Sequence, residues 1–231
     1  MKAKRMMSNN VMVKMDQENE FIKTPSGIKL FIDTSFEPEK HIVRVGEVVA
    51  LPKRIITSGT GLPWETEIEL MIGDRVVMYF LAVQNCLAPE KKNYARDGDN
   101  VWIFIKYHNI YAAIRDGKII PINGYILVEP MEDPEWIRQK EQAARADLEL
   151  PDLRKPSNTD VVYGRIAYIG KPNKSYIDSI YKADKYYDLK EGDEIVMKKI
   201  RDIPVEYEYH AKIDGGRKLY RAQRHDILAK L

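Results

Sequence analysis

The chain has 231 residues, 44% of them hydrophobic, with 37 basic and 35 acidic side chains and a net charge of +2. That length accommodates one large or two small domains, and the composition can build a core without disulfide or metal staples. The near-balance of charge speaks against a nucleic-acid binder held mainly by phosphate contacts, which carries a basic surplus.

Cys86 is the single cysteine, which rules out an internal disulfide and fits a reducing compartment. Met1 to Asn10 carries Lys2, Lys4 and Arg5 but no apolar h-region, so a secretory signal is not expected. No run approaches the ~18 apolar residues of a membrane span. The expectation is a soluble, cytoplasmic protein with no membrane or nucleic-acid partner.

In chain order, Val11 to Val13 reads as a short strand, and Asp16 to Ser26 as a polar loop holding Pro25. Gly27-Ile28-Lys29-Leu30-Phe31-Ile32 is short and apolar, and Thr34 to Lys40 is polar again. Val43 to Leu51 is β-type around Gly46, and Pro52 to Glu67 reads as a hairpin excursion. Ile72 to Phe80 reads as a turn followed by a strand, and Val101 to Ile105 and Asn109 to Ile114 as further short strands. Arg115-Asp116-Gly117-Lys118 is a turn or linker, after which a second domain begins near Ile119. Pro121-Ile122-Asn123-Gly124 leads into the β-rich run Tyr125 to Val128, with Pro130 at its far boundary. Strands this short and evenly punctuated predict all-β barrels.

The second half repeats the first. Gly164-Arg165-Ile166 answers Gly46-Glu47-Val48, Gly192-Asp193-Glu194-Ile195-Val196 answers Gly73-Asp74-Arg75-Val76-Val77, and Asp226-Ile227-Leu228-Ala229 answers Asn109-Ile110-Tyr111-Ala112. The offsets, 164 − 46, 192 − 73 and 226 − 109, all fall between 117 and 119. A near-constant offset through three motifs is the signature of an internal duplication, with domains at 8–115 and 119–231. One segment has no counterpart. Asp133 is an N-cap candidate, Pro134 sits at the first helical position, and Glu135 is in the first turn. Helix formers follow to Ala146, predicting an inserted helix over about 133–148 with Trp136, Ala143 and Ala144 on one face.

The repeated unit resembles GroES-type co-chaperonins, in which an opening strand, a mobile loop, a Gly-x-Val strand, a Val-Gly-Asp-x-Val strand and a terminal Asp-Ile-Leu-Ala follow in that order. Pro121 to Val128, Gly192 to Val196 and Asp226 to Ala229 carry the resemblance in the second half. Val11 to Lys14, Gly27 to Leu30, Gly46 to Val48 and Gly73 to Val77 carry it in the first. Two such units in tandem are similar to chloroplast-type double co-chaperonins. Tyr125 stands where the family has arginine, and Lys29 where its loop is usually apolar. The resemblance implies a mainly β fold of two tandem GroES-like β-barrels, with one inserted helix in the second. It also implies no enzyme activity and no cofactor. The implied activity is to cap a GroEL-type chaperonin ring, as a homo-oligomer, and so assist protein folding.

The implied docking residues are Gly27, Ile28, Lys29 and Leu30 in the first copy and Leu148, Glu149 and Leu150 in the second. Ile28 and Leu30 are two apart, so an extended segment presents both on one face with Lys29 opposite. Burial contributes roughly 1.5–3 kcal/mol for each, partly offset by ordering the loop. The second copy has Ala146-Asp147 in place of the loop glycines, so Leu148 and Leu150 are expected to matter less.

Two other classes compete with this one. A dehydrogenase needs Gly-x-Gly-x-x-Gly in a βαβ setting, and Gly59-Thr60-Gly61 runs into Trp64 instead. His41, His108, His210 and His225 are scattered, unlike zinc ligands. A GroES-like structural or assembly protein without a chaperonin partner is the stronger rival, with the tyrosines at 176, 181, 186 and 187 as a candidate interface.

Overall fold

A computed structural model describes residues 5–15, 21–31, 42–56, 66–145, 161–173, 188–198, 217 and 219–231. The strands are β1 (Asn10–Met15), β2 (Phe21–Lys23), β3 (Lys29–Phe31), β4 (Val45–Ala50), β5 (Arg75–Met78), β6 (Tyr94–Asp97) and β7 (Asn100–Lys106). They continue as β8 (Ile110–Arg115), β9 (Lys118–Pro121), β10 (Tyr125–Met131), β11 (Val161–Ile169), β12 (Glu194–Lys198), β13 (Tyr220–Gln223) and β14 (Ile227–Lys230). The helices are α1 (Phe80–Leu87) and α2 (Pro134–Arg145). The fold is mainly β, built on two antiparallel sheets. One runs β6-β7-β1-β4-β5-β8-β9 and the other β13-β10-β11-β12-β14, while β2 and β3 pair only with each other.

The two sheets repeat one order, with β7, β1, β4, β5 and β8 matched by β13, β10, β11, β12 and β14. The match extends to irregularities. The β1–β4 register shifts at Met12/Val13 and the β10–β11 register at Leu127/Val128. The β5–β8 and β12–β14 ladders shift at Val77/Met78 and Val196/Met197. Gly46 and Gly164 are glycines for one reason: a Cβ on Gly46 would meet the Lys14 carbonyl oxygen at 2.5 Å, and one on Gly164 the Glu129 carbonyl oxygen at 2.9 Å. Before β5 and before β12, a buried aspartate accepts a hydrogen bond across its own turn, Asp74 from the Met71 N–H at 2.7 Å and Asp193 from the Lys190 N–H at 2.9 Å. Each is also ion-paired to the closing strand, Asp74 to Arg115 at 2.7 Å and Asp193 to Lys230 at 3.0 Å. His108 and His225 fall at one repeat position, in the 3-10 turn before that closing strand.

The first core gathers Val11, Val13, Val48, Val76, Ile103 and Ile105, and the second Ile126, Val128, Ile166, Ile195 and Met197. Alternate residues of each strand point inward, as the period of two requires. α1 closes the first core with Phe80, Val83 and Cys86 at three-residue spacing.

Between the sheets the expected turn or linker is a hairpin. Asp116 and Gly117 both take positive φ, and β9 pairs back on β8 with Arg115 opposite Lys118. Residues 118–121 therefore extend the first sheet, and Ile122 still lies in the first core. The crossing to the second sheet is the Asn123-Gly124 turn. Asn123, fully buried at φ +57°, donates from Nδ2 to the carbonyls of Tyr107 and Ile110, both at 2.9 Å. Its N–H donates to the Glu69 carboxylate at 2.9 Å, while its carbonyl accepts from Asn173 at 3.0 Å and Gln223 at 3.1 Å. One residue thus ties both repeats together. Alongside it the Arg221 guanidinium lies over the rings of Tyr111 at 4.2 Å and Tyr79 at 4.8 Å, a cation–π contact across the junction.

The structure departs from the sequence reading in several places. Closed barrels were expected, but the sheets are not closed among the described residues. Closure needs the two edge strands to pair, and β8 instead gives its free edge to β9. The strand expected through Phe80 stops at Met78, and α1 follows. Phe21 to Lys23, read as loop, is a strand. Pro130 lies inside β10 rather than at its boundary; it is tolerated there because β13 pairs with β10 only as far as Val128. α2 forms where expected, with Asp133 Oδ1 accepting from the Glu135 N–H at 2.9 Å, and Ala143 is its buried residue. Ala144, expected on the same face, is exposed. The tyrosines at 176, 181, 186 and 187, His41 and His210 lie outside the described residues.

Candidate partner-docking hairpin

Gly27, Ile28, Lys29 and Leu30 form the second half of a tight hairpin, β2–β3, in which Phe21, Ile22 and Lys23 stand opposite Phe31, Leu30 and Lys29. The sequence Thr24-Pro25-Ser26-Gly27 closes it. Proline pre-sets the turn, and Gly27 takes φ +85°, which a side chain would resist. The Thr24 N–H donates to the Ile28 carbonyl at 2.9 Å, and the Gly27 N–H to the Thr24 carbonyl at 2.8 Å. The Thr24 hydroxyl accepts from the Ile28 N–H at 3.1 Å and lies 2.8 Å from the Ser26 hydroxyl. These hydrogen bonds are made within the turn, and Ile28 and Leu30 are left outward. Ile28 is 60% exposed and Leu30 52%. Among the described residues, neither is in a core cluster and no other strand pairs with this hairpin.

Leu148, Glu149 and Leu150 lie outside the described residues, so the structure brings only the first group together. Sequence reasoning found the apolar pair but not the turn that presents it, although Thr-Pro-Ser-Gly between two apolar runs is a hairpin signal.

A second concavity opens beside α1, a cleft of about 550 Å³ lined by Asn10, Tyr79, Asn85, Lys91, Asn93 and Asn109 among others. Cys86 also lines it, but burial pushes its thiol up to about 11, and Sγ donates to the Phe104 carbonyl at 3.4 Å. A thiol so held is a poor nucleophile at neutral pH. His108 is pushed below the usual imidazole range by burial and by Lys106. Among the described residues no group of three or more His, Cys, Asp or Glu side chains could hold a metal ion, and no helix is long and apolar enough to cross a membrane. No family model matches the chain, and no curated protein matches it.

Proposed function

We propose that this protein is a co-chaperonin composed of two tandem GroES-like domains, which caps a GroEL-type chaperonin ring through its hairpin and acts as a homo-oligomer. The observation that carries the reading is the pair Ile28 and Leu30, exposed on a hairpin separate from both sheets. The repeated strand order supports it, since one small β unit used twice is what a tandem co-chaperonin requires. The chemistry is non-covalent. Two apolar side chains enter a groove on the partner, and one hairpin binds weakly. Several hairpins on one assembly bind together through effective concentration.

A pull-down of a purified GroEL-type ring with the full chain tests the proposal. Wild-type protein is expected to retain the ring. The Ile28→Ser/Leu30→Ser double variant is expected to lose at least tenfold in retention, with its melting temperature unchanged because both side chains are exposed. Leu148→Ser with Leu150→Ser is expected to lose less. Equal retention by wild type and the first double variant contradicts the proposal.

A GroES-like assembly protein with no chaperonin partner is the second reading. It is favoured by a specific observation, large apolar side chains left exposed outside the hairpin, among them Met7 (74% exposed), Ile72 (68%) and Leu228 (43%). Failure of the wild-type protein to retain the ring at all selects it.

A further inference from the structure

The first sheet leaves part of one strand uncovered. β6 has four residues and β7 seven, and the pairing between them ends with Tyr94 opposite Ile103. One more bond follows, from the Phe104 N–H to the Asn93 carbonyl at 2.8 Å. Beyond it β7 runs on to Lys106 with no strand on that side among the described residues. Hydrogen-bonding direction alternates along a strand. The Tyr107 N–H donates to the Asn9 carbonyl at 2.8 Å, toward β1, so Lys106 turns its N–H the other way, to the side that β6 has left.

The space on that side is the cleft of about 550 Å³ beside α1, within the ~300–1,000 Å³ range of small-ligand sites. The local sequence shapes it. α1 forms one wall with Leu81, Ala82 and Asn85, and the chain then turns back toward β6. In that turn the Lys91 N–H donates to the Ala88 carbonyl at 3.0 Å, and Lys92 takes φ +50°. The turn brings Lys91 and Asn93 to the cleft, and β7 itself contributes Lys106.

The lining is cationic and rich in amides. Lys91 and Lys106 are both exposed, and no Asp or Glu stands among the lining residues. Their charges reach the groups around them. Lys91 offsets part of the rise that burial gives the Cys86 thiol, and Lys106 adds to burial in lowering His108. Lys91 Nζ donates to Asn85 Oδ1 at 2.7 Å, which holds its ammonium at the α1 wall. The carboxamides of Asn10, Asn93 and Asn109 make no hydrogen bond among the described residues. A carboxamide carries donors and an acceptor, the complement of a peptide group, whereas an ammonium carries donors alone, the complement of a carboxylate. An open strand edge accepts an extended chain by continuing the ladder. Edge, carboxamides and ammonium groups together select one kind of occupant.

We propose that the cleft binds an extended acidic peptide segment of another protein, laid along β7 where β6 stops. The Lys106 N–H donates to a carbonyl of the peptide, the asparagine carboxamides meet its peptide groups, and Lys91 and Lys106 hold its carboxylates. A small anion such as phosphate satisfies the lysines but uses neither the strand edge nor the carboxamides. The site does not involve β2–β3 and needs no chaperonin ring.

Titration of the full chain with the capped peptide acetyl-Asp-Val-Asp-Val-amide, followed through the backbone amides by NMR, tests it. Saturable shifts are expected at Asn93, Phe104 and Lys106. The Lys106 amide proton is expected to move downfield and to exchange more slowly as it gains an acceptor. The peptide acetyl-Asn-Val-Asn-Val-amide keeps the backbone and lacks the charge, and is expected to bind at least tenfold more weakly. Lys91→Gln with Lys106→Gln is expected to lose at least tenfold in affinity for the acidic peptide at an unchanged melting temperature, since both side chains are exposed. Inorganic phosphate is expected to compete weakly and to leave exchange at Lys106 as it was. The absence of saturable shifts, equal binding of the two peptides, an unchanged affinity in the double variant, or full reproduction of the shifts by phosphate overturns the proposal.

Discussion

Asn123 shows how one side chain can set the relation between two sheets. Its amide donates to two buried carbonyls of the first repeat, and its backbone carbonyl accepts from two side chains of the second. Asn123→Ala strands the Tyr107 and Ile110 carbonyls and places alanine at a positive φ, so it is expected to destabilise the protein by about 2–4 kcal/mol in urea unfolding. Glu69 accepts the Asn123 N–H, and its carboxyl is raised above 4.5 chiefly by burial, which the Asn123 hydrogen bond and the nearby Lys171 charge only partly offset. A raised carboxyl contributes stability fully below the unfolded value and loses it as pH rises through the folded value. Glu69→Gln keeps an acceptor and removes the charge. It is expected to raise the melting temperature at pH 7 and to leave it unchanged at pH 4.

Asp74 behaves in the opposite sense. Burial alone would raise its carboxyl, but the Arg115 guanidinium and the Met71 N–H hold it below 3.8. Its contribution is therefore present above the unfolded value and lost as pH falls through the folded one. Arg115→Met leaves the buried carboxylate with the Met71 N–H, and Arg115 is itself partly exposed, so a loss of about 1–3 kcal/mol is expected at neutral pH. The gap between wild type and variant should close only in strong acid.

Among the elements, β2–β3 and α1 mark opposite limits of what the sequence discloses. Ile28 and Leu30 at two-residue spacing announce one apolar face, and the structure leaves that face in solvent. α1 was missed because its apolar residues continue the β-type run from Val76, no side chain caps Tyr79, and no charge marks either end. The three-residue spacing of Phe80, Val83 and Cys86 was the available signal. α2 was legible because it carries its own punctuation in Asp133, Pro134 and Glu135. Replacing Gly27 by alanine tests whether the turn matters as much as the apolar pair. The left-handed φ should cost about 1 kcal/mol of local hairpin stability. Amide exchange at Thr24 and Ile28 is expected to quicken, and the global melting temperature should stay unchanged.

For the whole molecule, the repeated strand order was legible because glycines and aspartates at turns are demanded by backbone geometry and so mark equivalent positions. The Gly46–Gly164 and Asp74–Asp193 pairs do this. The junction was not legible, because it joins residues far apart in the chain, Glu69, Tyr111, Asn173 and Arg221 among them, none of which has a local pattern. The first sheet stays open at the same junction, since β8 gives its outer edge to β9, the strand that leads into the second repeat. The proposed role depends on the hairpin being the surface offered to a chaperonin ring. Amide hydrogen exchange of the full chain, with and without a purified GroEL-type ring, tests it most directly. Strong slowing is expected across Thr24 to Phe31 when the ring is added, with little change in β4, β5, β11 and β12; an unchanged hairpin in a formed complex, or no complex at all, rules this role out.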